Sequence, residues 1–136
     1  MDLIAGAGHG YGLFWYEQGR GEDGRRVWTK HTVDAAWAQY HDMQLADIDG
    51  DGELELVTGK RWRAHNGSDP GDNDPVFLCY YKIKGGQFTR YMIEYGDARD
   101  GHSGAGIYFW LEDLTGNGKP DIIAPGKEGL YVFYNE

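Results

Sequence analysis

The chain has 136 residues, which is enough for one domain with its own hydrophobic core. Its 22 glycines argue against a helical bundle, whereas its 10 tyrosines, 5 tryptophans and 5 phenylalanines favour strands. The formal net charge of −9 argues against a nucleic-acid partner, because such a chain repels polyphosphate.

Short aromatic runs separated by glycine and aspartate predict an all-β chain. The predicted strands fall into three groups along the chain. The first group holds strands at 2–5, 12–16 and 28–33. The second holds four strands, at 42–47, 54–59, 76–83 and 87–94. The third begins near residue 111 and continues at 121–124 and 129–134.

These groups are copies of one unit. Residues 45–57 align with 111–123 at an offset of 66, and 28–33 align with 88–93 at an offset of 60. Asp2 takes the place of Asp121 in a copy that is shortened at its N-terminus. Four-stranded units with a period of roughly 50 to 70 residues are typical of β-propeller blades. A β-sandwich with a chance repeat is the alternative.

The sequence therefore predicts a single propeller segment over 1–136, with about two and a half blades. The blades are expected at about 1–34 (partial), 42–94 (complete) and 107–136 (partial). A propeller needs about four blades or more to close. We therefore expect the segment to associate with the remaining blades of a longer propeller or with further copies of itself.

The loop between the first two strands of the complete unit has the spacing of a calcium site. Calcium takes six to eight oxygen ligands, and alternate residues of a tight loop can point inward together. The predicted ligands are carboxylates at Asp47, Asp49, Asp51 and Glu55 and the backbone carbonyl of Glu53. The alternative is an Asp/Gly-rich turn held by its own side-chain-to-backbone hydrogen bonds.

The second copy of this loop is poorer in charge. Its corresponding residues are Asp113, Thr115, Asn117, Lys119 (through its carbonyl) and Asp121. Two carboxylates replace four, so this loop is expected to bind calcium more weakly, or to hold its turn without an ion. In the first copy, an ion would remove the mutual repulsion of the carboxylates and join two strands, which is a structural role.

The segment 47–55 resembles the D-x-D-x-D-G-x-x-D loop of the FG-GAP/VCBS repeat family, the calcium-loop propellers that include integrin α-subunit heads. The resemblance extends over nearly the whole chain. It implies Ca²⁺ as the bound ion, a role in binding or scaffolding, a carbohydrate or protein ligand, and an extracellular or periplasmic location. A further likeness, to the propeller part of a sugar lyase, implies as an alternative an enzyme whose site lies on the histidine-bearing face. No catalytic motif accompanies that likeness.

The loops at the other end of the predicted blades form a candidate ligand face. Three interpretations remain open there: ordinary polar loops, a recognition surface for a carbohydrate or protein, and a catalytic or zinc site built from histidines. The candidate residues are His9, Trp37, His41, Lys60, Arg61, Trp62, His65 and His102. Tyr40 and the insertion 61–75 belong to the same end.

Apolar runs define the expected core. The aromatic runs at 13–16, 77–81, 108–110 and 130–134 are predicted to pack sheet against sheet through alternate residues. Cys79, the only cysteine, lies inside one such run and is predicted to be a buried thiol. No apolar run has the length of a membrane span, and no signal peptide is recognisable in this chain.

Overall fold

A computed structural model describes all 136 residues as ten strands in three antiparallel sheets. The first sheet consists of β1 (Leu3–Gly6), β2 (Tyr11–Arg20) and β3 (Arg26–Ala38). The middle sheet consists of β4 (Tyr40–Ala46), β5 (Glu55–Lys60), β6 (Val76–Lys84) and β7 (Gln87–Gly96). The third consists of β8 (Trp110–Glu112), β9 (Asp121–Gly126) and β10 (Gly129–Phe133). Two 3-10 turns occupy Ala64–Asn66 and Ala98–Asp100.

Each strand pairs with its neighbour in the chain, so every sheet is a simple antiparallel meander. The all-β prediction and the division into three, four and three strands are confirmed. The sheets do not close into a ring within this chain, and the propeller assignment stays a prediction. Among the helical segments, none has the length and apolar character of a membrane span.

Strand β3 is longer than predicted, because it continues past Val33 to Ala38. Its pairing with β2 shifts register on either side of Leu13, and Gly12 has a φ of 124°, which glycine adopts without steric cost. This bulge lets β2 stay paired as far as the Tyr11–Ala38 position. Trp37, predicted in a connection between sheets, therefore lies inside a strand.

The two central strands of the middle sheet, β5 and β6, are buried on both faces, because alternate residues of a strand point to opposite sides. On β5, Leu56 packs toward the first sheet and Val57 toward the third. On β6, Phe77 and Cys79 face the first sheet, and Leu78 faces the third. The predicted packing of alternate residues is confirmed for this sheet. Cys79 is buried as predicted, and burial raises the pKa of its thiol to about 12.

The outward face of the third sheet is apolar and open. Trp110 on β8 pairs with Ile123 on β9, which pairs with Val132 on β10. Trp110 is 49% exposed and Leu130 is 70% exposed. The core prediction for 108–110 and 130–134 is therefore wrong for alternate residues, because this sheet has a neighbour on one side only. Phe109 and Phe133, which point inward, do pack in the core.

The core between the first and middle sheets can be tested by a substitution at Phe77. Phe77 is fully buried, and its ring meets those of Trp37 and Tyr40 edge-on at centroid distances of 4.2 and 5.3 Å. We expect Phe77→Ala to destabilise the protein by about 3–5 kcal/mol, because it removes buried area and leaves a cavity. The measurement is the denaturant midpoint of unfolding. Leu45→Ala, at an exposed position of the same sheet, is the control and should cost less than about 1 kcal/mol.

Candidate functional site

The loops lie at two opposite ends of the sheets, because neighbouring strands are antiparallel. The acidic loops at 47–54 and 113–120 connect the first two strands of the middle and third sheets. The loops at 7–10, 61–75 and 97–109 lie at the opposite end, and β4 begins there. Four of the five histidines, His9, His41, His65 and His102, lie at this second end. The fifth, His31, lies within β3 and stacks on Trp15.

The first acidic loop is shaped by hydrogen bonds from its own backbone. Asp47 accepts from the amides of Gly50 and Gly52 at 2.8 and 2.9 Å, one on each carboxylate oxygen. Asp51 accepts from the amide of Glu53 at 2.9 Å. Both glycines have positive φ, 77° and 89°, which the tight turn requires. These contacts are those of an Asp/Gly-rich turn.

Three carboxylates converge inside this loop. Asp47, Asp49 and Glu55 each place an oxygen within 4.8 Å of the other two. Glu55 is only 1% exposed and accepts from the amide of Ile48 at 3.0 Å. Burial, followed by repulsion from Asp49 and Asp51, raises the pKa of Glu55. Asp51, one of the predicted ligands, lies outside the converging group.

Asp51 forms an ion pair with Lys82 instead of joining the converging carboxylates. The lysine ammonium lies 2.7 Å from Asp49 Oδ2 and 2.6 Å from Asp51 Oδ2. The lysine lowers the pKa of Asp51, and its own pKa is raised by the same contacts, that with Asp49 first. No sequence pattern indicated this pairing, because Lys82 lies 31 residues after Asp51 in the chain. The lysine partly neutralises the loop but does not contact the buried Glu55.

The second loop repeats the same backbone contacts with less charge. Asp113 accepts from Gly116 and Gly118 at 2.7 and 2.8 Å. The hydrogen bond from Gly118 leads the contacts that lower the pKa of Asp113. Asp121 is buried and accepts from the amides of Leu114 and Asn135 at 2.9 and 2.7 Å. Every carboxylate oxygen of this loop thus has an amide donor, and no third carboxylate is present.

Of the residues predicted on the ligand face, Lys60 is buried and Trp37 is partly buried against the core. Trp37 packs between Phe77 and Tyr95, with the Arg90 guanidinium 4.5 Å from its ring centroid. Lys60, at the end of β5, is 1% exposed and donates to the Arg61 carbonyl at 3.1 Å. Burial lowers the pKa of Lys60 despite the nearby carboxylates. Both residues line a small pocket of about 180 Å³ beside Phe77 and Tyr95.

Tyr40, placed at the same end by its position in the sequence, is also buried. Its hydroxyl shares a 2.8 Å hydrogen bond with that of Tyr81, and burial raises the pKa of both phenols. Its role is in the core between the first and middle sheets.

Three of the predicted histidines come together. His9 Nδ1 lies 2.7 Å from Asp69 Oδ2, and His65 Nδ1 lies 3.0 Å from the same oxygen. The two imidazoles are stacked, with centroids 4.6 Å apart, and His41 meets His9 edge-on at 5.9 Å. The hydrogen bond from His9, then that from His65, lowers the pKa of Asp69. His102 lies apart and pairs with Glu94.

A cleft of about 280 Å³ opens at the same end, between the middle and third sheets. It combines two aromatic side chains with two cationic ones that form no ion pair. Lys127 also bonds the Arg63 carbonyl at 2.8 Å, which ties the third sheet to the 61–75 loop. The side chains that line the cleft include Arg61, Trp62, Ile107, Tyr108, Pro125 and Lys127.

Comparison with known proteins gives no relative for this chain. No family model, no curated protein and no solved structure matches it.

Proposed function

We propose that this chain is a calcium-stabilised set of β-propeller blades whose opposite end binds a ligand. The observation that carries the calcium assignment is the convergence of Asp47, Asp49 and Glu55. Glu55 is buried without a cationic partner in contact, and a buried unpaired carboxylate is costly. A cation at the point where the three carboxylates meet would remove this cost, and an all-oxygen donor set suits Ca²⁺.

The second acidic loop is assigned no bound calcium. Its turn has the same backbone hydrogen bonds as the first, and its two aspartates have amide donors on all of their oxygens. The difference between the loops is therefore charge and not shape. We assign calcium to the loop at 47–55 and a metal-free turn to the loop at 113–121.

The propeller assignment is supported by the equivalence of sheet faces. Leu56 and Ile122 follow the last acidic residue of their loops, and both face the preceding sheet. The next residue in the middle sheet, Val57, faces the following sheet. Ile4 likewise packs toward the middle sheet. Successive sheets thus repeat one interface, as blades do around a propeller axis.

This repetition specifies what would cover the open faces. By the same rule, Ile123 on the third sheet and Leu3 on the first sheet both face away from the middle sheet, and Leu3 is 52% exposed. These are the two sides that meet at every internal interface. A second copy of this chain would bring the outward face of its first sheet onto the third sheet, in a head-to-tail contact.

The cleft at the histidine end supports carbohydrate binding. Trp62 and Tyr108 offer aromatic faces, and Arg61 and Lys127 supply positive charge to a chain that is otherwise acidic. Aromatic rings pack on the apolar face of a sugar, and guanidinium groups bind carboxylates. An acidic monosaccharide unit of a polysaccharide fits this chemistry and the cleft volume.

For the calcium site, we expect EDTA to lower Tm and added Ca²⁺, but not Mg²⁺, to restore it. At about 100 times Kd, bound calcium adds ~2.7 kcal/mol, or roughly 10 °C for a chain of this size. Asp49→Asn should lose this response, measured by thermal unfolding monitored by circular dichroism.

Two further variants separate this site from its neighbours. Asp113→Asn, in the second loop, should keep the full calcium response. Lys82→Met should bind calcium more tightly, since it removes the cation that competes for Asp49. Identical melting curves in EDTA and in calcium would contradict the assignment.

For the head-to-tail contact, we expect the purified chain, of 15.3 kDa, to form larger species at tens of micromolar. Sedimentation velocity measures this. Leu130→Glu should shift the chain toward monomer, because it places a charge on the outward face of the third sheet. Ile83→Glu, at an exposed apolar position of the middle sheet, is the matched control. A wild-type chain that stays monomeric at these concentrations would refute the contact.

For the cleft, we expect oligogalacturonate to quench tryptophan fluorescence with saturation. Trp62→Ala should weaken binding by roughly tenfold or more, the scale of a lost aromatic contact. Trp28→Ala, an exposed tryptophan of the first sheet, should not. Equal binding by both variants would exclude the cleft as the ligand site.

A further inference from the structure

His9, His65 and Asp69 form a compact donor group at the end of the sheets away from the acidic loops. Two imidazole nitrogens and one carboxylate oxygen lie within 4.8 Å of one another. His9 is contributed by the β1–β2 loop of the first sheet, and the other two by the long β5–β6 loop of the middle sheet. The group therefore bridges two sheets.

The donor types select a different ion from that of the acidic loop. Two imidazoles and a carboxylate suit zinc and related transition metals, whereas calcium prefers oxygen alone. Three protein ligands with a fourth position left to solvent is a common arrangement for zinc. The exposure of the two imidazoles, 52% for His9 and 62% for His65, leaves that fourth position open.

Buried groups hold the backbone of Asp69 in place. The backbone amide of Asp69 donates to Asp72 Oδ2 at 2.9 Å, and Asp72 is 2% exposed. Asp72 in turn accepts from the side-chain amide of Gln39, which is fully buried. The part of the loop that carries Asp69 is therefore anchored to the protein interior.

The backbone that presents His65 is held in a conformation that costs energy. Arg63, His65 and Asn66 have φ values of 46°, 45° and 61°, which residues other than glycine seldom adopt. An exposed His–Asp pair adds little to stability. The pairing of His65 with Asp69 therefore does not account for three residues in the left-handed region.

His41 adds a third imidazole beside the group. Its Nδ1 donates to the Ile107 carbonyl at 3.1 Å, because a carbonyl can only accept. Its ring centroid is 5.9 Å from that of His9. A third imidazole thus lies beside the two stacked histidines.

We propose that His9, His65 and Asp69 bind a transition metal ion, with Zn²⁺ as the fitting physiological ion. In the metal-free protein both Nδ1 atoms carry protons, because the carboxylate between them only accepts. On binding, each imidazole moves its proton to the solvent-facing Nε2 and gives the Nδ1 lone pair to the metal. The ion then replaces two hydrogen bonds with three coordinate bonds and joins the first sheet to the middle one.

The test is calorimetric titration of the chain with ZnCl₂ in excess CaCl₂, which saturates the acidic loop independently. We expect one equivalent of Zn²⁺ to bind with a Kd in the micromolar range or below. His65→Ala and Asp69→Asn should each weaken binding at least tenfold. Co²⁺ in place of Zn²⁺ should give visible absorption bands of a four-coordinate site, and these should disappear in both variants.

His102→Ala is the matched control, because His102 forms a histidine–carboxylate pair with Glu94 at the same end without a second imidazole. It should bind Zn²⁺ like the wild type. Circular dichroism in calcium verifies that each variant is folded. No zinc binding by the wild type, or equal affinity in wild type, His65→Ala and Asp69→Asn, would overturn the proposal.

Discussion

The middle sheet has to bury both of its faces at once, and the rest of the structure is arranged around that requirement. Its strands alternate side chains between two separate cores, one shared with each flanking sheet. Each flanking sheet is buried on one side only. Their outward faces keep the apolar side chains that the middle sheet uses for packing. An exposed apolar sheet face of this kind is typical of an interaction surface.

The same requirement determines where functional groups can lie. Strands that are covered on both faces, as β5 and β6 are, can present functional groups only at their ends. At one end the two acidic loops are built on glycines with positive φ and share the amide-to-aspartate hydrogen bonds that shape their turns. At the other end the connections differ from sheet to sheet, from the short loop at 7–10 to the long loop at 61–75. A repeated turn suits a structural ion, whereas variable loops suit a site specific to this chain.

Sequence reasoning succeeded where the information was local. The strands, the repeat and the shape of both acidic turns depend on residues a few positions apart. It failed for Trp37, which lies in the extended strand β3 and packs on Phe77, and for Lys60, which is 1% exposed at the end of β5. It also missed the pairing of Lys82 with Asp49. Each of these contacts joins segments that are distant along the chain.

The histidine group also depends on contacts between segments that are distant along the chain. The sequence indicated that four histidines share one end but offered no short spacing that joins any two of them. His9 and Asp69 are 60 residues apart and meet only because two sheets pack together. A metal at this point would therefore report on the packing of the first sheet against the middle one. Calcium at 47–55, by contrast, would order a turn within a single sheet. The two ions would thus act on different levels of the fold, one on a local turn and the other on an interface between sheets.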